Sequence, residues 1–306
     1  MKNIPLVSIV INCYNGEKFL KKCFQSVLNQ SYKNWEIIFW DNCSTDRSKI
    51  IFDSYKDHRF KYFKSKFNVS LGQARLWAVN KCKGDFISFL DVDDIWFPKK
   101  TEIQVKRMMK DNSALSYGSI IEFDKTGMEY LRKPVHCSGK IFKNQLLQFD
   151  INVPSSMINR KILLDKKLNF DKNIFASEEY CLFMQLIFNE KVTVINKPLA
   201  KYFIRSDSLT NQKSHLWAKE REYTLNLIIK KYPNSILKFP KEFKEAYSRA
   251  YYYRARHAMF KKEKTKAIQN MRKICFNNLR YFFLYLLLFF PDSVWNRIHE
   301  IKNRRS

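Results

Sequence analysis

Along the chain, short runs of apolar residues alternate with segments in which apolar positions recur every three or four residues. "LVSIVIN" (Leu6 to Asn12) is β-branched and nearly all apolar, the pattern of a strand covered on both faces. "EKFLKKCFQSVLNQ" follows, with Phe19, Leu20, Cys23, Phe24, Val27 and Leu28 on one helical stripe. "WEIIFW" (Trp35 to Trp40), "FKYF" (Phe60 to Phe63) and "FISFL" (Phe86 to Leu90) predict further strands. Ser44 is expected to cap the helix after the second of these, with Asp46 in its first turn. "LGQARLWAVNKCKG" reads as a helix closed by Gly84.

Beyond Pro98 the pattern predicts a helix over 100–109, a strand in "ALSYGSIIEF", and later strands in "VTVIN" and "LAKYFI". From about Ser214 onward everything is helical, and the segments 242–260 and 264–290 read as a hairpin turning at 261–264. Two regions result, 1–210 and 211–306. Strands alternating with helices in the first argue an α/β fold whose parallel sheet has helices on both faces. Ligands of such sheets bind beyond the strand C-termini. "NCYNG", "DNCSTD" and "DVDD" fall at those ends.

Composition narrows the class. The 306 residues, 45% hydrophobic and 28% charged, suit a globular chain of one large or two smaller domains, and six glycines exclude a collagen-like one. The net charge of +27 favours anionic partners, or is only the habit of a chain rich in Lys, Asn, Ile and Phe; charge alone decides nothing. Seven scattered cysteines without a Cys-x-x-Cys pair indicate neither a zinc knuckle nor a disulfide framework, and a reducing cytosol fits them. The N-terminus enters a strand at once, without the pattern of a signal peptide. As a helix, the apolar run Tyr281 to Phe290 would span about 15 Å, half of a bilayer core of about 30 Å. Two readings stay open for it: a core helix, or one lying in an anionic membrane surface, flanked by Arg272, Lys273, Arg280, Arg297, Arg304 and Arg305.

The candidate chemistry starts at "DVDD". Asp91 and Asp93, one residue apart just past a strand end, can reach one hard cation from a short turn, with Asp94 as a spare or supporting group. Such a cation neutralises a diphosphate leaving group. The segments "PLVSIVINCYNGEKFLKKCFQSVLNQSYKNWEIIFWDNCSTD" and "GQARLWAVNKCKGDFISFLDVDDIWFP" together resemble family 2 of the glycosyltransferases, over about the first 210 residues. The resemblance implies a GT-A fold with a Rossmann-like mixed sheet, a nucleotide-diphosphate sugar donor, Mg2+ or Mn2+, and inversion at the anomeric carbon.

It also implies roles at matching positions. Tyr14 and Asn15 stand in the first nucleotide-binding loop. Asp41 matches the first aspartate of the family's Asp-Asp-Gly-Ser turn, facing the base, while Asn42 and Cys43 replace the second aspartate and the glycine. An Asn42 amide oxygen can still accept from a pyrimidine N–H, without charge assistance. Arg75 lies near the nucleotide, Asp93 matches the metal-binding aspartate, and Asp91 its partner nearer the ribose. Packing for Tyr14, and turn or cap roles for Asn15 and Asp41, stand beside these readings.

In "NFDKNIFASEEYCLFMQLIF", Glu178 and Glu179 match the family's acidic pair, whose second member is the general base. Independently, Leu182, Phe183, Leu186 and Ile187 define a stripe with Glu179 near its centre and Glu178 turned about 100° away, behind a Ser177 cap. The alternative is that both glutamates only complement the helix dipole. In "KYFIRSDSLT", Phe203 and Arg205 occupy places where the family often has an arginine and a histidine, and Arg205 could lie over the diphosphate.

Three other functions fit the sequence less well. A sugar nucleotidyltransferase needs a Gly-rich loop, which "NCYNGEKF" is not. A nucleic-acid binder would carry a recognisable motif and would be repelled by "DVDD". A processive polysaccharide synthase has a Gln-x-x-Arg-Trp motif and membrane-spanning helices, absent here. The expectation is therefore a cytoplasmic, inverting, metal-dependent enzyme adding one sugar from a UDP- or dTDP-sugar. Its acceptor would be a glycan or lipid-linked oligosaccharide of a bacterial surface polysaccharide, with an anionic membrane surface as a further partner and no nucleic acid.

Overall fold

Each apolar run of the N-terminal region becomes a strand of a single sheet in the computed structural model, which describes residues 4–204 and 212–303, the last helix with side chains to 298. The strands β1 (Val7–Cys13), β2 (Trp35–Asp41), β3 (Phe60–Lys64) and β4 (Phe86–Phe89) alternate with helices α1 (Leu20–Leu28), α2 (Ser48–Asp53) and α3 (Leu71–Val79). β1 lies parallel between β2 and β4, and β3 continues in parallel beyond β2. The chain thus steps outward to β3 and returns on the other side of β1. In sheets of this kind ligands bind at such a reversal, beyond the strand C-termini.

Next come β5 (Ile95–Trp96), α4 (Lys100–Asp111), β6 (Leu115–Phe123), β7 (Glu129–Arg132), α5 (Phe142–Leu147), β8 (Met157–Asn159), α6 (Arg160–Asp165), α7 (Glu178–Leu186) and β9 (Val192–Phe203). The sheet order is β3-β2-β1-β4-β8-β6-β9-β5, with β7 on β6. β8 runs antiparallel to both β4 and β6, and β5 antiparallel to β9, so the sheet is mixed rather than parallel throughout. "VTVIN" and "LAKYFI" are one strand and not two. β9 follows β6 to its end, and a register shift beside Gly118 and Ser119 absorbs the residues before Pro198.

At the start of α4, the fully buried Lys100 amine donates to Ser88 Oγ at 2.7 Å and lies 3.8 Å from the centroid of the Trp96 ring. Burial alone pulls its pKa well below the lysine range.

The chain divides into two compact units, one covering residues to 206 except Leu146–Gln148, the other those three residues and the chain from 207. The boundary expected at 210 lies outside the described residues. The second unit contains a 3-10 turn (Ser214–Leu216) and helices α8 (Trp217–Lys231), α9 (Ser235–Lys238), α10 (Pro240–Phe260), α11 (Lys264–Arg272), α12 (Leu279–Leu287) and α13 (Asp292–Asn303). Its core joins Tyr252 and Met259 of α10 to Met271, Tyr281, Leu288 and Trp295. The helix expected over 264–290 breaks in two. Asn278 accepts the Tyr281 N–H at 3.0 Å as an N-cap and donates to Glu245, while Asn277 donates to Ser248 at 2.6 Å. The Asn278 cap starts a new helix there, and both side-chain amides are held by α10. Among the described residues no helix is long and apolar enough to cross a membrane.

Candidate active site

The loops after β1 and β2 are laced together by backbone N–H groups. Asn15 takes a left-handed conformation (φ 53°), donates its N–H to Ser44 Oγ at 3.0 Å, and accepts the Thr45 N–H on Oδ1 at 2.9 Å. Gly16 donates to Ser48 Oγ at 2.9 Å, and a Cβ at this position would sit 2.8 Å from Cys13 Sγ. Glu17 donates to Asp46, and its carboxylate accepts the Arg47 N–H. Ser44 consequently does not cap α2. Its hydroxyl is engaged by Asn15, and Asp46 accepts the Ser48 N–H instead.

Tyr14 projects from this loop, 55% exposed. Asp41 is buried, accepting the Ser44 N–H at 2.7 Å on one oxygen and the Tyr62 hydroxyl on the other. Burial, then Asp41, pushes the Tyr62 pKa up. Asn42 donates to Val69 O at 2.8 Å and accepts its N–H at 3.1 Å. In this state both side chains shape the loop from within.

The acidic turn closes through the Asp94 N–H on Asp91 O at 3.0 Å. Asp94 is buried, and its Oδ1 accepts the Phe203 N–H at 3.1 Å, so the turn is tied to the last residue of β9. Asp91 and Asp93 remain partly exposed. Burial, and then the charges of Asp94, Asp91 and Asp93, push the Tyr202 pKa up. Among the described residues no group of three His, Cys, Asp or Glu side chains closes on a metal position. Two partly exposed carboxylates still fit a hard cation that completes its shell with diphosphate oxygens and water, as Mg2+ commonly does.

The third part of the site comes from α7. Gly72 lets the segment before it approach α3, since a Cβ there would lie 2.9 Å from Ile174 O. One turn on, Arg75 is buried, with Nη2 2.9 Å from Asp91 Oδ1 and Nη1 3.1 Å from Glu178 Oε1. The helical-wheel reading is reversed for this pair: Glu178 is the buried member and Glu179 the half-buried one. The reason is that α7 is buried at every position from Tyr180 to Leu186, so its leucines define no single inward face. Ser177 makes no side-chain cap bond. Burial, and then the neighbouring Glu178 charge, raise the Glu179 pKa to about 7, with Arg75 opposing.

Arg75, Asp91, Glu178 and Glu179 therefore form one electrostatic cluster, beside Asp93. Tyr14 and Asn15 lie on the loop after β1, and Asp41 and Asn42 at the end of β2 with which it interlocks. Arg205 lies outside the described residues. Phe203 stacks on Phe123 with ring centroids 5.0 Å apart. Tyr62, Tyr202 and the partnership of Arg75 with Glu178 are not foreseeable from spacing, because the contacts join positions far apart in the chain.

Residues 8–168 match the model of glycosyl transferase family 2. An uncharacterized glycosyltransferase of Methanocaldococcus jannaschii is 35% identical over 210 residues, 65% of this chain and 71% of its own. A UDP-Glc:alpha-D-GlcNAc-diphosphoundecaprenol beta-1,3-glucosyltransferase of Escherichia coli is 28% identical over 212 residues, 68% of this chain and 81% of its own. Another relative is much longer, the match taking in 29% of its length. Among solved structures, Staphylococcus aureus TarS 1-349 in complex with UDP-GlcNAc aligns with a TM-score of 0.59 at 15% identity, over 86% of this chain and 88% of that one. A mannosyltransferase of Pyrobaculum calidifontis in complex with GDP-Man and Mn2+ aligns at 0.55 and 12%, over 88% and 85%.

Proposed function

The chain belongs to glycosyl transferase family 2, and from that premise we propose that it moves one sugar from a UDP- or dTDP-activated donor to a hydroxyl of a glycan or lipid-linked oligosaccharide, inverting the anomeric carbon. One observation carries this reading. Arg75 joins Asp91 of the acidic turn to Glu178 in the first turn of α7, which brings the diphosphate-side carboxylates and the Glu179 carboxyl into one cluster.

Asp93 and Asp91 would hold Mg2+ or Mn2+, whose charge, when bound, offsets that of the diphosphate. Tyr14 and Asn15 border the nucleoside, with Asp41 and Asn42 fixing the loop behind them. Glu179 takes the proton of the acceptor hydroxyl as the new C–O bond forms. The bond from the anomeric carbon to the diphosphate oxygen breaks, and its electron pair leaves with the nucleotide. Glu178 accepts from Arg75 and holds the helix end in place. Arg205 is proposed as a cation over the leaving diphosphate.

The Escherichia coli relative supports a UDP donor and a lipid-linked acceptor, and the Mn2+ of the Pyrobaculum structure supports the cation. Such an acceptor fits work at the cytoplasmic face of a membrane, in the synthesis of a bacterial surface polysaccharide. The test is a panel of nucleotide sugars offered with diphospholipid-linked acceptors, with Mg2+ or Mn2+ against chelator. Acceptor-dependent release of UDP or dTDP, with the product anomer inverted, is expected. A product that keeps the donor's configuration, or turnover indifferent to chelator, sinks the proposal.

A further inference from the structure

The second unit carries an apolar surface that its own core leaves uncovered. Tyr281, Leu284 and Leu288 of α12 and its end turn inward and are at most 9% exposed. On the other side Phe276, Leu279, Phe283, Leu286 and Phe290 recur at intervals of three and four residues, exposed by 40 to 87%. The Phe282 ring lies 6.4 Å from Phe276 and 6.0 Å from Phe283, so the aromatic groups are contiguous. A contiguous patch of this kind marks a place of contact with something else.

Charge decides what that is. Lys264 and Lys266 are answered by Asp292 and Glu263, 3.2 and 3.1 Å away, but no Asp or Glu lies between those two acids in the chain to answer Arg272, Lys273 and Arg280. Arg272, Lys273 and Arg280 are exposed, and the last two lie over the rings of Tyr251 and Tyr252, at 5.3 and 5.7 Å. A seam between two copies of this chain would bring these cations together with no acid in the segment to answer them, the opposite of the mixed flanks of helical dimers. An anionic bilayer answers both features at once. Its headgroup region takes aromatic and leucine side chains, and its phosphates take the basic ones.

We propose that the exposed face of α12 (Leu279, Phe283 and Leu286), with Phe276 before it and Phe290 after it, docks in the plane of an anionic lipid bilayer, its basic neighbours on the headgroups. The nine-residue helix lies along the surface without crossing it. The proposal rests on the reading above for its purpose, reaching a membrane-borne acceptor, but its test does not depend on transfer.

Full-length protein is sedimented with phosphatidylcholine vesicles, with and without phosphatidylglycerol, at low salt and at roughly 0.5 M, where the Debye length is a few ångströms. Binding only to the anionic vesicles is expected, and the doubly substituted Phe283→Ser/Phe290→Ser protein should bind roughly tenfold more weakly. Its unfolding midpoint, and its turnover on detergent-dispersed acceptor, should match the unsubstituted protein. Unsubstituted protein left in the supernatant with phosphatidylglycerol vesicles overturns the proposal. So does a lipid-free dimer, seen by ultracentrifugation, that the double substitution disperses; the face would then join two copies. Loss of transfer in Glu179→Gln with vesicle binding intact keeps the two proposals separate.

Discussion

Arg75 Nη1 lies 3.1 Å from Glu178 Oε1, and both side chains are almost wholly buried. Removing Arg75 takes from the buried Glu178 the cation it faces, at about 3–5 kcal/mol. Arg75→Met should therefore lower the urea midpoint sharply, and Arg75→Met/Glu178→Leu should recover much of the loss. Unfolding titrations of the two proteins check this. A loss under about 1 kcal/mol in the single variant would mean that the pair is hydrated in solution.

Glu179→Gln keeps the size of the base and removes its proton affinity. Donor affinity by calorimetry should stay within about threefold, while transfer falls by about 10²-fold or more. Unimpaired turnover would hand the role to Glu178.

A general base works only when ionised, so the rate of transfer should climb as pH passes about 7, following the raised Glu179 pKa. Glu178→Gln removes the like charge that raises it and should move this rise to lower pH. Arg75→Met removes the opposing cation and should move it the other way. Shifts of roughly half to one pH unit are expected, read from pH–rate profiles of the three proteins.

Asp93→Ala should abolish the part of donor affinity that depends on Mg2+ or Mn2+, while the fold persists because Asp93 is partly exposed. Titrating donor with and without chelator measures it. If the metal-dependent gain in affinity survives the substitution, the cation is held elsewhere.

Lys100 gives a prediction about stability alone. Its folded-state pKa lies well below 10.5. Between these two values the unfolded chain holds a proton that the folded one lacks, so stability rises with pH across that window. Lys100→Met should flatten this rise, read as the urea midpoint against pH. A midpoint lowered at every pH would mean that the bond to Ser88 outweighs the cost of burying the amine.

The parts of this molecule legible in its sequence are those written locally. β1, β2, β3, β4 and α1 follow from residues adjacent in the chain, and so does the acidic turn at Asp91. What escaped depends on distant partners. The short strands β5 and β8 exist because long neighbours pair with them. The break between α11 and α12 needs Ser248 and Glu245 to receive Asn277 and Asn278. Which glutamate of α7 turns inward is settled by Arg75, 103 positions earlier. Periodicity cannot choose a face on a helix that is surrounded.

The bond between Asp94 and β9 is made to the Phe203 main chain and not to its ring. Every residue but an imino acid carries that hydrogen, so proline at this position would remove the bond between the acidic corner and the strand end.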